Sequence, residues 1–355
     1  MSQRTIHQAA TDDQGQGNGP ADSFLPTLHP SRGSLEETNL RGSFAPVDLQ
    51  ELFEEPPEHI EWIVEGYVAK GLFSLLSGSP KLGKTTLAYQ LIIAIARGLD
   101  YLGSALPPVH VLILALEEHR RDVVGRLRAD LETDLKVDVK LVFAPLLFSA
   151  AIHQKIAHYI QEHNIGLVLV DTLPAWWGLE DENNASEVLR KGMPLLNMIR
   201  QTDAAWLCLA HTRKSGGENG QEVRGSSALL GLVDIAITMK RTESGGNQRL
   251  LESVSRYADT PPKLVVTYQD GRYTPLGTPD SVSADAKAQK VLEATSFDDP
   301  QTVEELSALT HLSKQDVSRG LSLLGDKVYR MGEGVRGRPY EYLRTPIHPT
   351  PGTKE

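Results

Sequence analysis

The chain has 355 residues, of which 40% are hydrophobic, so it can bury one large core and a smaller second one. Its formal net charge of −10 argues against a surface that is basic throughout, and any contact with nucleic acid must therefore be local. The single cysteine, Cys208, excludes an intrachain disulfide and favours a reducing cytoplasm. No apolar stretch reaches the roughly 18 residues that cross a bilayer, and the N-terminus is polar. The sequence therefore predicts a cytoplasmic protein without a membrane partner.

Residues 1–45 are rich in Gln, Gly, Ser, Asp and Pro and carry no sustained apolar period, so we expect a disordered tail. From residue 46 to residue 278, apolar runs alternate with amphipathic stretches. This rhythm is typical of an α/β domain in which a mostly parallel sheet carries helices on its faces. The predicted strands lie at 72–76, 109–116, 139–143, 167–170, 206–209, 235–239, 250–254 and 264–268.

Residues 78–85 fit the phosphate-loop (Walker A) template G-x-x-x-x-G-K-[ST], between an apolar run and a helix-like stretch. That context predicts a nucleoside triphosphate site and disfavours the alternative, a glycine turn with a stray lysine. We expect Lys84 to reach the β- and γ-phosphates and Thr85 to hold Mg²⁺. The predicted nucleotide-binding residues are Gly78, Ser79, Pro80, Lys81, Leu82, Gly83, Lys84, Thr85 and Thr86.

Two of the predicted strands end in acids. The run 167–170 is followed by Asp171, about 90 residues after the phosphate loop, where a P-loop enzyme carries its metal-binding carboxylate. We expect Asp171 to bind Mg²⁺ directly or through water. The run 109–116 is followed by Glu117 and Glu118, and Glu117 is the candidate to orient the attacking water. Alternatively, both are first-turn helix acids favoured by the dipole, which is the role we predict for Glu118.

The order of the phosphate loop, the Glu-bearing strand, the Asp-bearing strand and a strand ending in His211 resembles the RecA-like ATPases. The resemblance is strongest to the RepA-type hexameric helicases of plasmids, phages and other mobile elements. It implies a RecA-like sheet, ATP hydrolysis with Mg²⁺, water activation by Glu117, γ-phosphate sensing by His211, and a homo-oligomer such as a hexameric ring on single-stranded DNA. The segments that carry it, within residues 50–278, are 62–64, 115–118, 170–173, 210–212 and 224–227. An ordinary surface histidine remains the alternative for His211.

Two further features bear on this resemblance. Residues 213–221, which include Arg213 and Lys214, predict a mobile loop that either grips a single-strand backbone or is only solvated. Ring-forming members complete each site with an arginine from the neighbouring subunit, and Arg256 is our first candidate for it, with Arg224 the second. A surface salt bridge is the alternative for either arginine. The sequence departs from RepA-type proteins near residue 234, where it holds no arginine.

The remaining sequence predicts a second domain. Residues 279–285, within a stretch that contains glycine and proline, are predicted to be a linker. In residues 286–345, two helix starts resemble capping boxes, and two short strands flank a glycine turn. These elements resemble a winged helix-turn-helix. Residues 346–355 are predicted to be a tail.

A winged helix commonly binds duplex DNA, with one helix in the major groove. Because the charges of this segment are balanced, a protein-docking module is the alternative. The candidate contacts are Gln315, Ser318 and Arg319 toward bases and Arg336 and Arg338 toward phosphates.

We therefore expect an ATP-hydrolysing, DNA-associated motor of the helicase or recombination type, in which Lys84, Thr85, Asp171 and Glu117 carry the chemistry. The alternative is a nucleotide-gated DNA-binding regulator or loader, in which ATP sets assembly and no strand is unwound. A small-molecule kinase is disfavoured, because neither an arginine-rich lid nor an acceptor pocket is evident in the sequence.

Overall fold

The chain divides into two compact units, residues 1–58 and 59–355. In the first unit the described residues form one short helix, α1 (Leu49–Glu54). The tails predicted at 1–45 and 346–355 lie outside the described residues, except for Pro346. The structure, a computed structural model, describes residues 46, 48–54, 59–131, 137–143, 146, 148–178, 184–211, 227–243, 245–335 and 337–346.

Each predicted strand has a counterpart in the second unit, displaced by a few residues at most. The described strands are β1 (Trp62–Val64), β2 (Val68–Ala69), β3 (Phe73–Gly78), β4 (His110–Ala115), β5 (Val139–Phe143), β6 (Ile165–Asp171), β7 (Ala205–His211), β8 (Ile235–Arg241), β9 (Gln248–Ser255), β10 (Lys263–Gln269), β11 (Arg272–Gly277), β12 (Gln301–Thr302), β13 (Val328–Met331) and β14 (Glu341–Arg344). The described helices are α2 (Lys84–Arg97), α3 (Arg120–Leu131), α4 (Ala150–Glu162), α5 (Leu173–Trp177), α6 (Ala185–Thr202), α7 (Ser227–Leu232), α8 (Pro279–Ala294), α9 (Val303–Thr310) and α10 (Lys314–Leu324).

Nine of these strands form one central sheet in the order β11-β10-β9-β8-β3-β7-β6-β4-β5. The strands from β8 to β5 are parallel to one another, and β9, β10 and β11 extend the sheet in antiparallel fashion. The structure thus confirms the predicted α/β fold, a RecA-like, mostly parallel sheet flanked by helices. Strands β3, β7, β6 and β4 all end at one edge of the sheet, which we call the carboxyl edge.

Both faces of the central parallel strands β3, β4, β6 and β7 are buried, which explains why their sequences are apolar at successive positions. In β6, Leu167 and Leu169 point into the core on one face, and Val168 and Val170 point into the core on the other. Helix α2 covers the first face, while α6 and the indole rings of α5 cover the second. The buried apolar side chains therefore hold these strands in place, so that the residues at their ends lie at the carboxyl edge.

The prediction of a linker at residues 279–285 is wrong, because these residues form about two turns of helix α8. Thr278 caps this helix, since its hydroxyl accepts a hydrogen bond from the Ser281 N–H (3.2 Å). Pro279 stands in the first turn, where a missing N–H leaves no helical hydrogen bond unmade. Because β11 ends at Gly277, the sheet passes into α8 without an irregular segment.

Residues 278–346, which we call the C-terminal segment, have a separate small core. Helices α8, α9 and α10 bury Val291, Leu306 and Val317 against one another. Strands β12, β14 and β13 form a three-stranded antiparallel sheet beside them. The first of the two predicted capping boxes is present at the start of α9, because the Thr302 side chain accepts from the Glu305 N–H and the Glu305 carboxylate accepts from the Thr302 N–H. The winged-helix assignment stays a prediction.

Candidate functional site

The phosphate loop connects the end of β3 to the start of α2. Gly83, the N-cap of α2, has a φ of 100°, and Lys81 has a φ of 63°, so the backbone turns sharply just before the helix begins. The helix of 14 residues therefore starts directly at the loop, with its positive dipole end and free N–H groups available to an anion.

Lys84 lies across this loop rather than in solvent, since the residue is only 5% exposed. Its Nζ atom donates to the backbone oxygens of Gly78 (2.9 Å) and Ser79 (3.2 Å). Burial lowers the pKa of Lys84, and the nearby charges of Asp171 and Glu117 oppose that effect. The ammonium group is thus held at the mouth of the loop, where the template predicts contact with phosphates.

His211 links the lysine of the loop to Glu117. The last residue of β7, it pairs in register with Gly78 of β3. Its Nδ1 atom lies 3.4 Å from Lys84 Nζ, and its Nε2 atom lies 3.4 Å from Glu117 Oε1. An ammonium group can only donate, so Nδ1 accepts, and the ring proton lies on Nε2 and is donated to Glu117. This hydrogen bond is the main reason that the pKa of Glu117 falls below its ordinary value, with further contributions from Thr172 and Lys84.

Asp171 ends β6 at the same edge of the sheet. Its backbone oxygen accepts from the N–H groups of Leu116 (2.8 Å) and Glu117 (3.2 Å), which fixes Glu117 next to it. The residue is 2% exposed, and burial raises the pKa of its carboxyl to about 6, with the charges of Glu118 and Glu117 adding to the rise. Among the described residues, Asp171 Oδ2 has no hydrogen-bond partner. The Tyr89 hydroxyl is close enough to offset part of the pKa shift, but it too lacks a partner by hydrogen-bond geometry.

The unpartnered oxygen of Asp171 fits the expected magnesium ion. A buried carboxylate oxygen without a hydrogen bond is costly unless a ligand completes it. Mg²⁺ prefers oxygen ligands and is commonly held by one or two carboxylates, water and phosphate oxygens. The described residues contain no cluster of three or more His, Cys, Asp or Glu that could form a complete cage. The remaining protein ligand would be the hydroxyl of Thr85, in the first turn of α2.

Glu118 is placed differently from Glu117. Both of its carboxylate oxygens accept from Arg126, at 2.6 and 3.0 Å, and Arg126 also lies over the Tyr89 ring. A bidentate ion pair of this kind fixes the side chain. The arrangement is compatible with the structural role predicted for Glu118 and leaves Glu117 as the acid that faces His211.

Arg256, the first candidate to act between subunits, is not part of this cluster. Arg256 follows β9 at the opposite edge of the sheet, because Ser255 pairs with Ile235 at the start of β8. Its NH1 atom lies 3.6 Å from Asp234 Oδ1. Within one subunit Arg256 does not reach the phosphate loop, and its action on a neighbouring copy stays a prediction. Arg224 and the predicted DNA loop 213–221 lie outside the described residues.

Two residues that the sequence analysis did not single out contact the phosphate loop. Arg249 Nε and the Tyr273 hydroxyl both donate to the backbone oxygen of Leu82, at 3.1 and 3.3 Å. They come from β9 and β11, in the antiparallel extension of the sheet. No motif marks either position, and their only signal in the sequence is that they belong to late strands.

The candidate DNA contacts of the C-terminal segment lie on its surface. Gln315, Ser318 and Arg319 are exposed on α10. Arg338 is also exposed, but its guanidinium donates to Glu333 (2.9 Å). Arg336 lies outside the described residues. The described side chains among these candidates are therefore accessible, and their contact with DNA stays a prediction.

Comparisons with known proteins bear on the loop and its surroundings. A family model described as an AAA domain matches residues 38–217, just over half of the chain, which includes every element of the cluster from β3 to β7. No curated protein matches the chain. No helix in the described part of the chain combines the length and apolar character needed to cross a membrane.

Proposed function

The chain belongs to the AAA domain family and is a P-loop ATPase, and from this membership we propose that it is an ATP-hydrolysing motor that acts on DNA, similar to the RepA-type hexameric helicases. The observation that carries the proposal is the hydrogen-bonded series Lys84–His211–Glu117 beside Asp171. It connects the group suited to bind terminal phosphates to the group suited to orient water. A site that only bound nucleotide would need no such connection.

The four charged or hydroxyl groups have distinct roles in the proposed hydrolysis. Lys84 offers positive charge to the β- and γ-phosphates, and Thr85 and Asp171 would hold Mg²⁺, which neutralises phosphate charge when bound. Glu117 orients the attacking water and accepts its proton. The hydrogen bond from His211 keeps the pKa of Glu117 below its ordinary value, so the carboxylate stays charged beside the buried Asp171 and can accept a proton at neutral pH.

His211 is proposed to report the phosphate state. Its ring contacts Lys84 on one side and Glu117 on the other, so a change in the position of Lys84 alters both hydrogen bonds. It is also the last residue of β7, directly before the predicted DNA loop 213–221. This position supports the proposal that His211 links hydrolysis to single-stranded DNA.

The DNA partner and the homo-oligomer rest on the resemblance to ring helicases and on the exposed face of α10. Gln315, Ser318 and Arg319 lie on one exposed side of that helix and would contact duplex DNA. A second candidate function is a nucleotide-gated DNA-binding regulator or loader. It is favoured by the contact of Arg256 with Asp234 (3.6 Å), because a guanidinium paired within its own subunit would have to leave that pair to act on a neighbouring site.

The test is ATP hydrolysis by the full chain with and without single-stranded DNA, for the parent, Glu117→Gln and Glu118→Gln. We expect stimulation by DNA in the parent and a roughly 100-fold loss of turnover in Glu117→Gln, the lower range for removing a general base. Glu118→Gln is the matched control and should retain turnover. Hydrolysis that neither DNA nor Glu117→Gln changes would contradict the motor. Strand displacement then distinguishes the motor from the regulator, which binds DNA without separating its strands.

A further inference from the structure

The backbone oxygen of Leu82 accepts two hydrogen bonds from the far side of the phosphate loop. One comes from Arg249 Nε at 3.1 Å and the other from the Tyr273 hydroxyl at 3.3 Å. Both donors belong to the antiparallel extension of the sheet and reach the loop across 167 and 191 residues of sequence. A carbonyl oxygen has two lone pairs, so the two donors can occupy it together.

The peptide bond converts this contact into a constraint on the phosphate cradle. Because the peptide unit is planar and trans, the oxygen of Leu82 and the N–H of Gly83 point in opposite directions. Holding the oxygen toward β9 and β11 turns the Gly83 N–H toward the interior of the loop, where phosphate-loop N–H groups bind the anion. We infer that Arg249 and Tyr273 are positioning residues that hold this N–H in its phosphate-binding orientation, an inference that rests on the proposed nucleotide site.

The surroundings of Tyr273 support a fixed geometry. Its backbone N–H donates to Gln90 Oε1 (3.1 Å) on α2, and Gln90 Nε2 donates to the oxygen of Gly271 (2.6 Å) in the turn before β11. Tyr273 is buried, and burial raises the pKa of its hydroxyl, so the hydroxyl keeps its proton and donates. A Cβ at position 83 would lie 2.1 Å from the Tyr273 hydroxyl oxygen, so only glycine admits this approach.

Arg249 is equally well fixed. Its NH1 atom donates to the backbone oxygens of Gly246 (2.9 Å) and Gln248 (2.7 Å), so the guanidinium is held by three carbonyl groups in all. Its charge also strengthens the hydrogen bond to Leu82 relative to a neutral donor. The loop is thus set before nucleotide arrives, and binding does not bear the cost of ordering this peptide.

The experiment measures the dissociation constant of a fluorescent ADP analogue, and the KM and kcat of hydrolysis, for the full chain. The variants are Tyr273→Phe, which removes one hydroxyl, and Arg249→Gln, which removes the guanidinium. Tyr268→Phe is the matched control, because Tyr268 lies on the neighbouring β10 with its ring 4.9 Å from that of Tyr273. The loss of one neutral hydrogen bond corresponds to about a fivefold change in an equilibrium constant. The loss of a hydrogen bond from a charged donor corresponds to about a tenfold change or more.

We expect the dissociation constant and KM to rise about fivefold in Tyr273→Phe and about tenfold in Arg249→Gln, with kcat within about twofold of the parent, since the same N–H contacts ground and transition states. A variant that only unfolds in part would lower kcat and leave KM unchanged. Values within about twofold of the parent in both variants would overturn the inference. The parent and Lys84→Ala test the nucleotide site itself, separately from the positioning role of Arg249 and Tyr273. The proposed function fails if the parent does not bind the analogue or if Lys84→Ala binds it equally well.

Discussion

At the carboxyl edge of the central sheet, Lys84 and Asp171 are buried beside the more exposed Glu117, whereas several charged side chains of the C-terminal segment form ion pairs near the surface. Lys287 contacts Asp316 at 2.8 Å, and Lys314 contacts Glu304. Ion pairs near the surface contribute little to stability, because solvent screens their charges. Buried groups at the sheet edge have shifted pKa values and, at Asp171, an oxygen without a partner.

This contrast distinguishes buried charged groups that bind a ligand from surface charged groups that keep the protein in solution. A buried carboxylate lowers the stability of the folded protein, so its presence indicates a ligand that completes it. A balanced set of surface pairs attracts a polyanion only where a cation is left over. The nucleotide site is therefore defined by its geometry, while the DNA binding proposed for the C-terminal segment rests on a few side chains of α10.

The strongest test of the contrast makes the same change in both regions, Asp171→Asn and Asp316→Asn, in protein free of nucleotide and metal. Burial raises the pKa of Asp171 from 3.8 to about 6, so the folded state binds protons more tightly than the unfolded state does. The stability that this group contributes falls as the pH rises from about 4 to about 6, by up to about 3 kcal/mol. Asp171→Asn should therefore raise the melting temperature at pH 8 and lose that advantage near pH 4, while it abolishes hydrolysis.

Asp316→Asn should change the melting temperature at pH 8 in the opposite direction. Hydrogen bonds from Lys287 and Ser313 keep the pKa of Asp316 below its ordinary value, so its contribution is present above the unfolded-state pKa and is lost as the pH falls through the folded-state pKa. The variant should melt lower than the parent at both pH 8 and pH 5, and the difference should disappear as the pH falls through the folded-state pKa of Asp316. Equal destabilisation by both variants at pH 8 would remove the distinction between the two regions.

The difference between the regions also explains what could be predicted from sequence. Parallel strands buried on both faces are continuous apolar runs, so the ends of β4 and β6 and the acids that follow them were found directly. The phosphate-loop template located Lys84 and Thr85, because the residues of the template are consecutive in the sequence. Both kinds of signal are local in the chain.

The elements that were missed depend on context that a local pattern does not carry. Gly277 and Pro279 indicated a linker, but Thr278 between them is an N-cap and Pro279 stands in a first turn, where proline favours a helix. Arg249 and Tyr273 act on Leu82 through the register of antiparallel strands far along the chain, and no spacing rule predicts that register.

A second test concerns the surplus cation of α10. Arg319→Ala should weaken binding of duplex DNA by the nucleotide-free full chain about fivefold at low salt and reduce the salt slope by about one, as expected for a lost phosphate or base contact. Arg338→Ala should have a smaller effect, because Glu333 already pairs with its guanidinium. Affinity that does not depend on salt in the parent would exclude the DNA interpretation and leave the C-terminal segment as a protein-docking module.

The smallest expected effect tests whether the two regions are energetically independent. Thr302→Ala removes the capping box of α9 and should lower the local stability of α9 and α10 by about 1 kcal/mol, measured by hydrogen exchange of their amides. Ser322→Ala, an exposed hydroxyl on α10 that bonds only back to Ser318 among the described residues, is the control and should change exchange little. The affinity for nucleotide should be the same in both variants, because the cap belongs to the core of the C-terminal segment and the cradle is held by β9 and β11. A nucleotide affinity that falls with the cap would show instead that α8 transmits the stability of its partners through β11 to Tyr273 and the loop.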